Sequence, residues 1–133
     1  MPLLYRISPQ LRLLFIRGVG VITQVERIET MQAWLKDPAY SDCESALCDF
    51  TAAESTPTMA ELRELVERMS RLTPGRGPKK LAVVATKAIA LIVGGQFRQF
   101  VEIAAVPLEV RVFEEIGLAW EWLHPKDATA PPQ

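Results

Sequence analysis

Two apolar segments near the start of the chain have the composition of β-strands. Residues 3–8 and 11–19 are rich in leucine, β-branched and aromatic side chains, and Pro9 and Gln10 separate them. Two such segments around a short break predict a tight hairpin. Residues 13–16 are continuously apolar rather than alternating. This pattern indicates a strand covered on both faces, as in a sheet flanked by helices.

Helical spacing and helix-capping residues follow the hairpin. Thr23 and Glu26 have the spacing of a capping box and predict a helix start, and Asp37-Pro38 predicts its end. Its apolar positions at helical spacing are Val25, Ile28, Met31 and Leu35. Thr58 and Glu61 form a second capping box. The apolar stripe of that helix consists of Met59, Leu62, Leu65, Val66, Met69 and Leu72.

The remaining pattern alternates strands with helices. Further strands are predicted at residues 46–50, 81–85 and 108–113, and further helices at 88–103 and 114–123. The order β-β-α-β-α-β-α-β-α predicts an α/β fold with a mixed, mostly parallel five-stranded sheet and four helices. We expect one domain over residues 1–123 and a flexible tail over 124–133, which has three prolines.

Sheets of this kind bind ligands beyond the carboxyl ends of their strands. In this chain those ends are predicted at residues 18–23, 49–58, 86–88 and 113–115.

Composition and charge exclude several classes of function. The chain has 15 Lys and Arg against 16 Asp and Glu, a net charge of −1, so no concentrated basic face for nucleic acid is expected. Two cysteines and one histidine are too few for a usual zinc site. We therefore expect no metal, no cofactor and no nucleic-acid partner.

The N-terminal residues do not resemble a signal peptide. They carry Pro2, Arg6 and Pro9 and lack a long apolar stretch. The most apolar segment, residues 88–95, is too short to cross a bilayer. We expect a cytoplasmic protein without a transmembrane segment, in which Cys43 and Cys48 stay reduced.

Two motifs near predicted strand ends have both a chemical and a structural interpretation. Gly18 and Gly20 approximate a dinucleotide-binding fingerprint, but Thr23 stands at its third position and is better used as a helix cap. Asp49 and Glu54 could perform acid–base chemistry, yet they lack a partner histidine. For Asp49 we favour backbone hydrogen bonds in a loop.

Hydroxyl groups cluster before the second helix. Ser55, Thr56 and Thr58 could cap that helix, and a phosphate there would face the positive end of the helix dipole. Because Thr58 completes the capping box, capping is the stronger interpretation. Phosphorylation of Ser55 or Thr56 remains a physical alternative.

The third and fourth helices carry more apolar surface than one buried stripe needs. The predicted core face of the third consists of Ile89, Ile92, Val93, Gln96, Phe97, Phe100 and Ile103. Leu91, Gly94 and Val101 lie on its other side and predict a pocket, a self-association surface, or a helix buried on both sides. In the fourth helix, Trp120 and Trp122 are two positions apart, so one indole should lie toward the rim.

The closing segment resembles that of bacterial SpoIIAA-like proteins. The matching residues are a strand, Val110-Arg111-Val112-Phe113, and a short helix, Ala119-Trp120-Glu121-Trp122-Leu123. The resemblance extends over about residues 3–123 and implies the fold shared by STAS and lipid-carrying CRAL-TRIO domains. It also implies a non-enzymatic binding role. STAS phosphoswitches carry a D-S-S-G-like motif, where this chain has Glu54-Ser55-Thr56-Pro57 without the Asp and the Gly.

The apolar patterns predict a module that binds a hydrophobic small molecule or lipid, or a protein partner. The resemblance implies that this role is non-enzymatic and that the module contacts membranes peripherally. The cavity is expected between the sheet and the third and fourth helices, lined by Val93, Phe97, Phe100, Trp122 and Phe50. The alternative is a partner-switch protein, similar to anti-sigma antagonists, that is phosphorylated on Ser55 or Thr56. A homodimer is compatible with both.

Overall fold

A computed structural model describes residues 2–72 and 76–123 of the chain. Its five strands form one sheet in the order β1-β2-β3-β4-β5. β1 pairs antiparallel with β2, and the other neighbours are parallel. The strands are β1 (Leu3–Ser8), β2 (Leu13–Gly20), β3 (Ser45–Ala53), β4 (Lys80–Val84) and β5 (Glu109–Phe113). This confirms the predicted mixed, mostly parallel sheet. The predicted tail, residues 124–133, lies outside the described residues.

Four α-helices connect or follow the strands, and a short 3₁₀ helix, Pro38–Asp42, follows the first of them. They are α1 (Gln24–Lys36), α2 (Met59–Leu72), α3 (Ala88–Ile103) and α4 (Ile116–Leu123). Both capping boxes are confirmed. The Glu26 N–H donates to Thr23 Oγ1 at 3.2 Å, and the Glu61 N–H donates to Thr58 Oγ1 at 3.1 Å.

The sheet separates two hydrophobic clusters. On the face that packs against α1, α2 and α3, which we call the three-helix face, β4 contributes Leu81 and Val83. On the opposite face, which we call the α4 face, the same strand contributes Ala82 and Val84. The buried members of the α4 face are Leu13, Phe15, Leu47, Ala82, Val84, Ala119, Trp120 and Leu123. Alternate residues of one strand therefore serve two separate cores.

Helix α3 is rotated relative to the predicted core face. Its buried residues are Val93, Gly94 and Val101, whereas Ile89, Ile92 and Ile103 are 57%, 60% and 80% exposed. A Cβ placed on Gly94 would lie 3.1 Å from Val112 Cγ2 of β5. Because glycine has no side chain, α3 can lie close to β5 at this point. The three isoleucines of the predicted face are therefore wrong, whereas its residues Val93, Phe97 and Phe100 do pack into the core.

Strand β3 is longer than the sequence predicts. It continues to Ala53, past a register shift in its pairing with β2 between Arg17 and Val19. Gly20 lies opposite Ala53, and the Glu54 N–H donates to the Gly20 carbonyl at 2.7 Å. This extension brings residues 53–57 to the carboxyl edge of the sheet.

Candidate apolar binding site

A cavity of about 230 Å³ lies on the three-helix face, between the sheet and α1, α2 and α3. Strand residues form its floor: Leu3, Ile16, Cys48, Leu81 and Val83. Helical residues form its walls: Met31, Trp34, Leu62, Leu65, Met69, Ala90, Val93, Gly94 and Phe97. The lining is predominantly apolar, as in most sites for small molecules.

The cavity reaches the surface at the carboxyl edge of the sheet. Its lining there includes Ile22, residues 53–57, Ala85 and Ile89, with exposed side chains at Glu54 and Lys87. These positions overlap three of the four predicted carboxyl ends, after β2, β3 and β4. The location agrees with the general rule for ligand sites in such sheets.

Three of the five predicted lining residues border the cavity, namely Phe50, Val93 and Phe97. Phe100 is half-buried and is not part of the lining, and the guanidinium carbon of Arg63 lies 5.4 Å from its ring centroid.

Trp122 lies on the other side of the sheet. It packs against the α4 face, 5.8 Å from Phe113 between ring centroids, with Lys80 Nζ 5.1 Å from its ring. Because α3 and α4 cover opposite faces, the expected single cavity between the sheet and both helices is wrong. Trp120 is 7% exposed and Trp122 is half-buried, so the two indoles differ as predicted.

Arg27 borders the cavity and was not among the residues predicted from the sequence. It precedes Met31 by four positions and Trp34 by seven, so the three share one face of α1. Val25, which we expected on the buried face, is 63% exposed. The helical spacing of Arg27 to Met31 and Trp34 could have placed Arg27 on the buried face. A charged residue is ordinarily assigned to the solvent face, so the spacing was not used.

The Arg27 side chain is held between α1 and α2. Only 11% of it is exposed, and its Nη1 donates to Gln24 Oε1 at 3.3 Å. The nearest Glu61 carboxylate oxygen lies 3.9 Å from Nη1. Burial lowers the pKa of Arg27 below its ordinary value, while the charges of Glu61 and Glu26 oppose that shift.

Ser55 joins the two loops at the cavity mouth. Its Oγ accepts a hydrogen bond from the Ile22 N–H at 2.8 Å and donates to the Ile22 carbonyl at 3.2 Å. Ser55 and Thr56, the predicted phosphorylation sites, are both half-buried and both line the cavity.

Lys87 connects two elements at the cavity mouth. Its ammonium donates to the Ala53 carbonyl at 2.9 Å and ties α3 to the end of β3.

The two candidate acid–base residues are not brought together at the cavity. Glu54 lines it, but Asp49 does not. Asp49 Oδ1 accepts hydrogen bonds from the Thr51 N–H at 3.0 Å and from Thr51 Oγ1 at 2.7 Å. The predicted role of Asp49 as an acceptor of backbone hydrogen bonds is confirmed, although it lies within β3 rather than in a loop.

Both glycines of the nucleotide-like motif have structural roles. A Cβ on Gly18 would meet the Phe50 ring and Ile22 Cδ1, each at 2.7 Å. Gly20 has a φ of +68°, a conformation that favours glycine. Close packing and a turn therefore account for the motif.

Cys48 borders the cavity and Cys43 belongs to the same core, and both are buried free thiols. Burial raises the pKa of Cys48 to about 12 and that of Cys43 to about 11. In residues 2–72 and 76–123, no group of three or more His, Cys, Asp or Glu side chains could hold a metal ion. The helices of this part of the chain include none long and apolar enough to span a bilayer.

The predicted self-association surface does not exist as such. Gly94 and Val101 are buried within their own subunit, and Val101 is only 1% exposed. They belong to the interior of the three-helix face. A homodimer through Leu91, Gly94 and Val101 would require that interior to open.

Comparison with known proteins identifies the class of fold. The crystal structure of an uncharacterized DUF3478-family protein from Shewanella loihica PV-4, which has a SpoIIAA-like fold, is similar to this chain. The similarity covers 91% of each chain, with 18% sequence identity and a TM-score of 0.55. No family model matches the chain, and no curated protein matches its sequence. The fold is SpoIIAA-like, as the closing segment implied, and fold alone does not define function.

Proposed function

We propose that this domain is a non-enzymatic cytoplasmic module that binds a hydrophobic small molecule in the cavity. The observation that carries the proposal is the cavity itself, about 230 Å³ in volume, apolar in its lining and open at the carboxyl edge of the sheet. Natural interiors are close-packed and contain few voids larger than a water molecule. Binding of a ligand would account for a cavity of this size.

The size of the cavity bounds the ligand. Apolar cavities of about 150 Å³ stay dry and bind benzene, whereas sites for drug-sized molecules measure roughly 300–1,000 Å³. At about 230 Å³ the cavity suits one short alkyl chain or one or two rings. Each Å² of apolar ligand surface removed from water contributes about 25 cal/mol to the favourable free energy of binding.

A non-enzymatic role is supported by the placement of the carboxylates. Asp49 is occupied by Thr51 and lies outside the cavity lining, so Glu54 has no second carboxylate from this pair at the site. General acid–base chemistry needs groups within hydrogen-bond reach of a bound substrate.

The experiment compares a filled cavity with an open one. Ala90→Leu places three additional carbons on the cavity wall, and Ala88→Leu adds the same atoms at an exposed position of the same helix. We expect native mass spectrometry or a thermal shift with 1-octanol to reveal a ligand for wild type and Ala88→Leu but not for Ala90→Leu. Failure of wild type to bind any short alkyl or aryl compound would contradict the proposal.

A partner switch controlled by phosphorylation is the second candidate. The observation favouring it is that Ser55 and Thr56 line the cavity mouth, where Ser55 bonds to Ile22 across two loops. A phosphate on Ser55 would remove the hydroxyl proton that Ser55 donates to the Ile22 carbonyl and would place negative charge at the mouth. A Ser55→Asp/Thr56→Asp variant should then change the proteins recovered in a pull-down, and an unchanged set would count against this candidate.

Peripheral membrane contact is a further part of the proposal. The first turns of α1, α2 and α3 carry exposed apolar side chains at Val25, Met59 and Ile89, and Ile89 also lines the cavity. A ligand could pass from a bilayer across these residues. Sedimentation with phosphatidylcholine vesicles should recover wild type but not a Val25→Ser/Met59→Ser/Ile89→Ser variant.

A further inference from the structure

Arg27 is a buried cation in a wall that is otherwise predominantly apolar. Its side chain is 11% exposed, and it borders the cavity together with Met31 and Trp34. A charge removed from water is costly unless it is paired and hydrogen-bonded. The partners of Arg27 therefore determine what the cavity can accept.

The partners of Arg27 in the described ranges use little of its hydrogen-bonding capacity. A guanidinium group has five N–H donors. Arg27 donates to Gln24 Oε1 at 3.3 Å, and the Glu61 oxygen at 3.9 Å is beyond hydrogen-bond distance. The hydrogen bond to Gln24 uses one of the five donors.

Glu61 is held in place by another role. Its Oε1 accepts a hydrogen bond from the Thr58 N–H at 2.9 Å, which is one half of the capping box of α2. The same Oε1 atom lies 3.9 Å from Arg27 Nη1. Glu61 therefore attracts Arg27 without accepting a hydrogen bond from it.

The other cation at the cavity is differently occupied. Lys87 is exposed at the mouth, and its ammonium donates to the Ala53 carbonyl at 2.9 Å. Lys87 thus has water and a backbone partner, whereas Arg27 is enclosed between two helices. Of these two cations, Arg27 is therefore the one held away from water.

We propose that Arg27 binds the carboxylate of an amphiphilic ligand whose alkyl or aryl body fills the cavity. The inference rests on the proposed function and specifies its ligand class, a short-chain monocarboxylic acid. The planar fork of a guanidinium matches the two oxygens of a carboxylate, and hydrogen bonds between ionised groups are stronger than neutral ones.

The test compares octanoate with 1-octanol, which has the same chain length and no charge, by isothermal titration calorimetry at pH 7.5. Wild type should bind octanoate about tenfold more tightly than 1-octanol. This is the effect expected of one hydrogen bond to a charged group. Arg27→Met should lose this preference while still binding octanol. Arg98→Met, an exposed position of α3 that is not part of the cavity lining, should keep it.

A second variant keeps the test valid if Arg27→Met does not fold. Glu61→Gln retains a side-chain oxygen that can cap α2 and removes the negative charge 3.9 Å from Arg27. We expect this variant to bind octanoate more tightly than wild type, by roughly twofold to fivefold, with octanol affinity unchanged.

The outcomes separate the two proposals. Equal affinity of wild type for octanoate and octanol would overturn the role of Arg27 and leave the apolar site intact. No binding of either compound would overturn the proposed function and this inference together. Tighter binding of octyl phosphate than of octanoate would overturn the carboxylate assignment.

Discussion

The two faces of the sheet use the same strands but are packed differently. On the α4 face, a single helix of eight residues covers the sheet, and Trp120 fills the space at 7% exposure. No residue of that cluster lines the cavity. On the three-helix face, longer helices enclose about 230 Å³ that their side chains do not fill.

The two faces therefore have different roles, since one is filled by side chains and the other contains the cavity. Close packing is the usual condition of a protein interior. On the α4 face, Leu13, Leu47 and Val84 are at most 1% exposed, and none of them borders the cavity. The three-helix face departs from it at the carboxyl edge, where ligand sites occur in sheets of this kind. We infer that the α4 face stabilises the sheet on which the cavity is built.

The largest expected effect is on the filled face. Trp120→Ala should lower the free energy of unfolding by about 3–5 kcal/mol, because it removes a large buried side chain and leaves a void. Trp122→Ala, at a half-buried position on the same helix, should lower it less. Urea denaturation measures both. Equal losses would show that Trp120 is not the main packing residue of α4.

Adjacent residues of β4 test the comparison directly. Val84 is 0% exposed on the α4 face, and Val83 borders the cavity. Val84→Ile should destabilise by about 1–3 kcal/mol through overpacking. Val83→Ile should change stability by less than about 0.5 kcal/mol, because its added methyl group can enter the cavity. Similar losses for the two variants would mean that both faces are equally full.

A smaller effect concerns pH, because both free cysteines belong to the three-helix face. The folded-state pKa of Cys48 is raised from 9.0 to about 12, so folding favours the neutral thiol. Its stabilising contribution is therefore complete below pH 9 and is lost as the pH rises from 9 towards 12. Between pH 8 and pH 10 we expect a loss of about 1 kcal/mol from this thiol.

The Cys48→Ala variant isolates that contribution. Its free energy of unfolding should fall less steeply than that of wild type over the same pH range, while Cys43 continues to titrate in both proteins. Parallel curves for variant and wild type would contradict a strongly raised Cys48 pKa.

Sequence patterns predicted the fold closely because the local signals for helices and strands agree with the topology of the folded chain. The capping boxes at Thr23 and Thr58 located two helix starts, and the alternation of strands with helices predicted the sheet. They did not predict how each helix is rotated. Because Gly94 has no side chain, α3 can pack with this position against Val112 of β5. In that rotation the isoleucines of α3 face outward.

The site was predicted less completely than the fold. The carboxyl edge and the residues Phe50, Val93 and Phe97 were correct in position, because strand ends can be located from the pattern alone. Trp122 was misplaced, because sequence does not state which face of the sheet a helix covers. Arg27 was missed, since burial of a charged residue depends on partners that only the folded structure brings together.

The most direct test of a ligand site on one face is a methyl-resolved NMR titration of wild type with 1-octanol. We predict shifts for methyl groups at the cavity, including Ile16, Leu62 and Val83, and none for Leu13, Leu47 and Val84 on the α4 face. No shifts at saturating octanol, or shifts of equal size on both faces, would contradict the account.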